Sequence, residues 1–163
     1  MTRYMLFLVL LGPVAAADEI IDAPGVRSMC WQLLAETRFG FSHVEAAAFI
    51  VRDHSGYRSV EWPSDGGTDS AKWFGQVPAG VVAIIHTHPN WMSTPSNIDA
   101  RTARSARVPV YVITRTRITK TDGNGMEIVM RGEWKPGGAD HHARLHSRYG
   151  ASAAAPFERI TSE

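Results

Sequence analysis

The sequence predicts a single-domain α/β protein in which helices pack on a central β-sheet. Its 163 residues are enough for one domain with a substantial core. A hydrophobic fraction of 44% and a charged fraction of 20% are typical of a soluble globular protein. One segment has apolar residues at helical spacing, and several short apolar runs between turn residues have the character of strands.

The chain begins with the pattern of a secretory signal peptide. Arg3 precedes the apolar run of residues 5–11, and small residues follow at 15–17. The apolar run is too short to span a bilayer as a helix. We therefore predict cleavage after Ala17, a secreted or periplasmic location and no stable membrane anchor. A buried N-terminal helix and an uncleaved anchor are the alternatives.

Charge and cysteine content restrict the function further. Loss of Arg3 with the leader would balance the 17 basic residues against the 16 acidic ones, so bulk charge does not predict a nucleic-acid partner. Cys30 is the single cysteine and cannot form an internal disulfide. It lies in an apolar helical pattern, which predicts a packed thiol and not a reactive one.

The N-terminal half predicts one helix and two strands. Apolar residues at helical spacing between Val26 and Phe39 indicate an amphipathic helix, which Gly40 ends. Residues 44–51 fit a buried strand, and residues 57–62 alternate as a second strand after a turn. Pro63 starts a loop that runs to residue 70, and residues 72–77 fit either a short strand or an irregular crossing.

The C-terminal half predicts a central strand, a helix and a closing hairpin. The β-branched run of residues 81–85 is typical of a strand buried on both faces. Ser96 can cap a helix that runs to about Ala106. A further strand is predicted at residues 108–114. The final hairpin joins Ile118 to residues 126–130 through Gly123-Asn124-Gly125.

Two histidines at the end of the central strand are the candidate metal ligands. His86 and His88 are one residue apart, so on a strand their side chains share a face. Zinc in a hydrolytic site usually takes three protein ligands and leaves one position open. A carboxylate should therefore join the two histidines, and Asp99 is the nearest candidate.

These residues form the pattern His-x-His-Pro, six residues, then Ser-x-x-Asp, which resembles the signature of the JAMM (MPN-plus) zinc metalloprotease family. That signature also includes a glutamate on an earlier strand, and Glu45 stands at the corresponding place. The resemblance runs from about Glu45 to about Arg131. Alanines follow Glu45 here, where family members often carry glycines.

The resemblance implies both a fold and a mechanism. The fold is JAMM/MPN-like, with a central mixed β-sheet flanked by helices in a cytidine-deaminase-like architecture. It would occupy residues 18–135, between the leader of residues 1–17 and a polar, loosely ordered tail at residues 136–163. In such a site His86, His88 and Asp99 hold Zn²⁺. Glu45 exchanges the proton of the attacking water, and Ser96 helps to stabilise the tetrahedral intermediate.

Each of these residues has a purely structural alternative. Ser-x-x-Asp is also a helix capping box, which Ser96 and Asp99 would form without any metal. Glu45 could be a solvent-facing residue at a strand end. Glu36 and Glu61 are rival bases, although neither has the expected neighbours.

Three further groups of residues have both a functional and a structural interpretation. His141, His142 and His146 could bind a metal if helical, but their polar setting predicts a solvated surface. The arginines at 101, 104, 107, 115 and 117 could attract an acidic substrate or form a solvated face. Trp91 and Met92 are either the lip of a substrate groove or a cover for the core.

The sequence therefore predicts a zinc metallopeptidase or isopeptidase that hydrolyses an amide bond by metal-activated water, outside the cytoplasm. The expected partner is a peptide or protein, with a cell-wall peptide as one possibility. A non-catalytic MPN-type scaffolding module and a secreted effector are the alternatives.

Overall fold

The structure, a computed structural model, describes residues 18–63, 71–132 and 134. In chain order its elements are α1 (Pro24–Glu36), β1 (Ala47–Asp53), β2 (Gly56–Glu61), β3 (Val81–Thr87), α2 (Asn97–Ala106), β4 (Val110–Thr114), β5 (Arg117–Thr121) and β6 (Met126–Arg131). The predicted leader, most of the predicted loop after Pro63, and the tail with His141, His142 and His146 lie outside the described residues.

The strands form one mixed sheet in the order β2-β1-β3-β4-β5-β6. β3 pairs antiparallel with β1 and parallel with β4, while the other neighbours are antiparallel. The interior place of β3 follows from its β-branched run, since a strand covered on both faces needs apolar side chains on both. The sequence-based prediction of an α/β fold with a central mixed sheet is confirmed.

The two helices cover two separate apolar clusters of the sheet. α1 contributes Val26, Cys30, Leu33 and Leu34 to a buried cluster that includes Ala48 and Ile50 of β1. α2 contributes Ala103 to a second cluster that includes Phe49 of β1. Because successive strand residues point to opposite faces, Phe49 lies on the other face of the sheet from Ala48 and Ile50. Ile84 belongs to the same cluster as Ala103, and His86 follows Ile84 by two residues on β3, so His86 also points to the α2 face.

The connection after α1 differs from the predicted one. The helix ends at Glu36 instead of Phe39, because Arg38 and Phe39 adopt left-handed φ angles of 53° and 57°. Gly40 follows with φ of 75°, and a Cβ there would lie 2.7 Å from Asn90 Oδ1. A glycine is therefore required where this connection meets the loop after β3.

Other element boundaries lie close to the predictions. α2 has the predicted capping box, with Ser96 as N-cap, and the closing hairpin of β5 and β6 is present. β1 begins at Ala47, so Glu45 precedes the strand instead of lying within it. Residues 72–77 form an irregular crossing and no strand. In the described part of the chain, neither helix combines the length and apolar character needed to cross a bilayer.

Candidate metal centre

The end of β3 and the start of β1 bring three potential ligands together. In the antiparallel pairing of these strands Ala47 lies opposite His86. Continuing that register by two residues places Glu45 beside His88. Both histidines are buried, with 8% and 4% of their surface exposed.

The distances within this group are short. His88 Nε2 lies 3.5 Å from Glu45 Oε1, and His86 Nδ1 lies 3.8 Å from Glu45 Oε2. The two imidazole rings are 4.7 Å apart between centroids and nearly perpendicular, at 89°. One ligand atom from each of the three side chains lies within 4.8 Å of the others, so the group could hold a metal ion.

Asp99 contacts His86 through the ring nitrogen that faces away from Glu45, and it does not belong to the group of three residues whose ligand atoms lie within 4.8 Å of one another. Its Oδ1 lies 3.1 Å from His86 Nε2. Its Oδ2 accepts hydrogen bonds from the backbone N–H of Ser96 at 2.6 Å and from the Ser96 hydroxyl at 2.8 Å. Asp99 can therefore cap α2 through Oδ2 and contact His86 through Oδ1 at the same time.

A backbone carbonyl determines which ring nitrogen of His88 carries the proton. His88 Nδ1 lies 2.9 Å from the carbonyl oxygen of Met92, which can only accept a hydrogen bond. The proton of the neutral ring therefore sits on Nδ1, and the lone pair of Nε2 faces Glu45. A second ring nitrogen that donates to a carbonyl is the usual way in which a metal-binding histidine is oriented.

The residues present fit a metal ion. His86 Nε2 is buried and has no aligned hydrogen-bond partner, although Asp99 Oδ1 is nearby. A buried polar atom without a partner costs free energy, and a metal ion bound to its lone pair would remove that cost. Imidazole nitrogens combined with carboxylate oxygens form a donor set that first-row divalent ions prefer.

Electrostatics favour a positive charge between the two carboxylates. Burial by itself would lower the pKa of His86, but the contacts with Asp99 and Glu45 outweigh burial and raise it to about 9. The pKa of Asp99 falls despite burial, because the adjacent positive charge of His86 and the hydrogen bonds from Ser96 stabilise its ionised form. Burial and the neighbouring charge of His86 lower the pKa of His88. The site therefore stabilises a cation, which is a proton on His86 in the absence of a metal.

The four side chains open onto a cleft of about 580 Å³. Trp91 and Met92 line it with 62% and 48% of their surface exposed, so they do more than cover the core. Ser96 lines the cleft as well, whereas the rival bases Glu36 and Glu61 do not.

The arginines at 101, 104, 107, 115 and 117 do not line the cleft. Arg104 donates to the carbonyl of Gly123, and Arg117 donates to the hydroxyl of Ser93 at 3.0 Å. Among the described residues that line the cleft there is no arginine or lysine. The idea that these arginines attract an acidic substrate into the site therefore has no support in the structure.

Two features of the site were not predicted from the sequence. One is the Met92 carbonyl, which orients the ring of His88. The other is the burial of Thr87 between the two histidines. Strand alternation could have indicated that Thr87 points away from the histidines. No residue pattern could have identified the carbonyl, since every residue has one.

The comparisons with known proteins agree with the geometry. A family model described as prokaryotic homologs of the JAB domain matches residues 41–130, which is more than half of the chain. The matched region contains every residue of the candidate site: Glu45, His86, His88, Ser96 and Asp99. No curated protein and no solved structure was found that matches the chain.

Proposed function

Because the chain belongs to the family of prokaryotic homologs of the JAB domain, we propose that it is a zinc-dependent metallopeptidase or isopeptidase. The observation that carries this proposal is the group formed by Glu45, His86 and His88, whose ligand atoms lie within 4.8 Å of one another. The group lies in the wall of an open cleft, where a substrate can reach it.

His86, His88 and Asp99 are the proposed zinc ligands. Zinc binds nitrogen and oxygen at about 2.0–2.2 Å, so the ligand atoms of a tetrahedral site stand about 3.3 Å apart. The 3.1 Å between His86 Nε2 and Asp99 Oδ1 is close to that spacing. The hydrogen bonds from the Ser96 N–H and hydroxyl support its role, since they stabilise the ionised carboxylate that a ligand must be. When bound, zinc would polarise the scissile carbonyl and acidify a water molecule.

Glu45 is the proposed general base. Its two oxygens face the two histidines at 3.8 Å and 3.5 Å, so it is adjacent to the position where the water would react. The carboxylate would accept the proton of the attacking water and deliver it to the leaving amine. Removal of its charge should therefore stop turnover more severely than it weakens metal binding.

Ser96 is the proposed donor to the oxyanion. Its hydroxyl lines the cleft and donates to Asp99 Oδ2 at 2.8 Å. In the tetrahedral intermediate the hydroxyl would turn to the developing negative charge, while the Ser96 backbone N–H keeps its hydrogen bond to Asp99.

The proposed place of action is outside the cytoplasm, on a peptide or protein substrate such as a cell-wall peptide. The leader pattern of residues 1–17 supports export. Asp18, the first residue after the predicted cleavage position, accepts hydrogen bonds from Tyr111 and Lys120. A chain cleaved after Ala17 would keep these contacts.

Metal analysis and product detection test the proposal together. Protein that starts at Asp18 is purified with zinc supplied and then incubated with cell-wall peptides and exported proteins. We expect one zinc per chain and products larger by one water in total mass, and neither with His88→Ala. Absence of stoichiometric zinc uptake would instead favour the non-catalytic scaffolding module.

A further inference from the structure

Part of the lining of the cleft beside the candidate metal group is apolar. Ala47, Trp62, Ile84 and Val110 line this part of the cleft and are called the apolar pocket below. Three of them are almost completely buried, with exposed fractions of 2% for Ala47, 4% for Ile84 and 1% for Val110. They therefore form its inner end.

Strand alternation explains why this pocket adjoins the metal group. Ala47 follows Glu45 by two residues, and Ile84 precedes His86 by two residues, so each pair shares one face of the sheet. A step of two residues along a strand is about 7 Å. The apolar pocket therefore lies one side chain away from the reacting position.

The apolar pocket disfavours an acidic side chain. Among the described residues, the ionisable side chains that line the cleft are the site residues Glu45, His86, His88 and Asp99, together with His43. A carboxylate placed against Ile84 and Val110 would lose its hydration without compensation. The two carboxylates of the site would in addition repel an acidic side chain.

The outer rim of the cleft is also apolar and is firmly held. Ile98 is 64% exposed and lines the cleft with Trp91 and Met92. The loop that carries Trp91 is tied at Asn90, which donates to the Phe39 carbonyl and accepts from the Arg115 N–H. A fixed apolar rim next to a reactive group is typical of a surface that binds apolar parts of a ligand.

From these observations we propose that the enzyme selects substrates with a bulky apolar residue, such as leucine or phenylalanine, next to the scissile amide, and that the apolar pocket holds this side chain. The inference rests on the proposed function for the position of the scissile bond. The binding preference itself follows from the lining residues and can be measured without turnover.

The test is a binding experiment with N-acetyl-X-N-methylamides, in which X is Leu, Phe, Ala or Glu. The isotope-labelled chain, starting at Asp18 and supplied with zinc, is titrated while NMR follows the Trp62 indole N–H and the Ala47 methyl group. We expect saturable shifts with Leu and Phe at affinities at least about tenfold above Ala. The Glu compound should give no saturable shift.

Variants that fill the pocket provide the second arm. Ala47→Leu should weaken binding of the Leu compound at least about tenfold while zinc content is kept. Thr102→Leu adds volume from α2 and should act in the same direction if Ala47→Leu fails to fold. Phe74→Ala is the matched control, because Phe74 is 81% exposed and does not line the cleft.

The outcomes separate this inference from the proposed function. Equal binding of Leu and Glu compounds, no saturable binding of Leu or Phe, or full binding by a folded pocket-filling variant would each overturn the pocket assignment. Selective Leu binding in a protein that takes up no zinc would leave the pocket in place and remove the proposed peptidase activity.

Discussion

The side chain of Thr87 accepts a hydrogen bond of 2.9 Å from the backbone N–H of Ala46. The backbone N–H of Thr87 donates in turn to the Ala46 carbonyl at 2.8 Å. Thr87 lies between the two histidines, and Ala46 directly follows Glu45. This pair of contacts therefore fixes the proposed base relative to the proposed ligands.

Replacement of this hydroxyl should destabilise the protein and disturb the site. Thr87 is fully buried, so Thr87→Val keeps the shape of the side chain but leaves the Ala46 N–H without a partner. We expect a loss of about 1–3 kcal/mol in the free energy of unfolding, measured with urea. Thr87→Ser keeps the hydroxyl and is the control. Equal stability of the valine variant and the wild type would contradict the role of this bond.

Conservative substitutions of Glu45 and Asp99 should distinguish the proposed base from the proposed metal ligand. Glu45→Gln should bind zinc as the wild type does and lose hydrolysis by a factor of about 100 or more, because the amide cannot accept the proton. Asp99→Asn should lose zinc, because it removes the anionic ligand. Zinc content by mass spectrometry and product formation are measured on both variants. Loss of zinc from Glu45→Gln with retention by Asp99→Asn would exchange the two roles.

Local sequence patterns predicted most of the architecture. The β-branched run before His86 predicted β3, and Ser96 with Asp99 predicted the start of α2, because both signals depend on residues adjacent in the chain. His86 and His88 could be paired from strand periodicity alone. The place of Glu45 beside them came from the family resemblance, and the register of β1 and β3 provides its structural basis.

The errors arose where distant segments meet. The sequence predicts an end of α1 at Phe39, three residues beyond the observed end at Glu36. It does not reveal the left-handed turn at Arg38 and Phe39, after which the Phe39 and Gly40 carbonyls accept hydrogen bonds from Asn90, far along the chain. The position of the arginines outside the lining of the cleft could not be predicted for the same reason, since proximity in the sequence does not determine which groove a side chain enters. Helical and strand periodicities carry no information on such tertiary contacts.

The thiol of Cys30 should be inert in the folded protein. Cys30 is completely buried, and burial raises its pKa to about 12, so almost no thiolate exists at neutral pH. We expect no reaction with a thiol reagent such as DTNB until urea unfolds the chain, when one equivalent should react. A control in denaturant measures the total thiol. Rapid labelling under native conditions would contradict the packing described for α1.

The stability contributed by Asp18 should depend on pH. Burial alone would raise the pKa of Asp18, but hydrogen bonds from the Ile21 N–H, Lys120 and Tyr111 outweigh it and lower that pKa. A carboxylate with a lowered pKa stabilises the fold above its unfolded value of about 3.9, and this contribution is lost as pH falls through the folded pKa. Asp18→Asn should therefore reduce the free energy of unfolding at pH 7, by about 1–3 kcal/mol.

The difference between wild type and Asp18→Asn should shrink steadily below about pH 4, because the unfolded carboxyl then takes up a proton while the folded one stays ionised down to its lower pKa. Urea unfolding at intervals from pH 7 to pH 3 measures it. Asp22→Asn is the matched control, because Asp22 pairs with Arg27 on the surface. The side chains of Arg27 and Asp22 are 37% and 41% exposed. Such a surface pair contributes about 0–1 kcal/mol. If Asp18→Asn lowered the free energy of unfolding equally at pH 3 and pH 7, the loss would come from packing and not from the charge of Asp18.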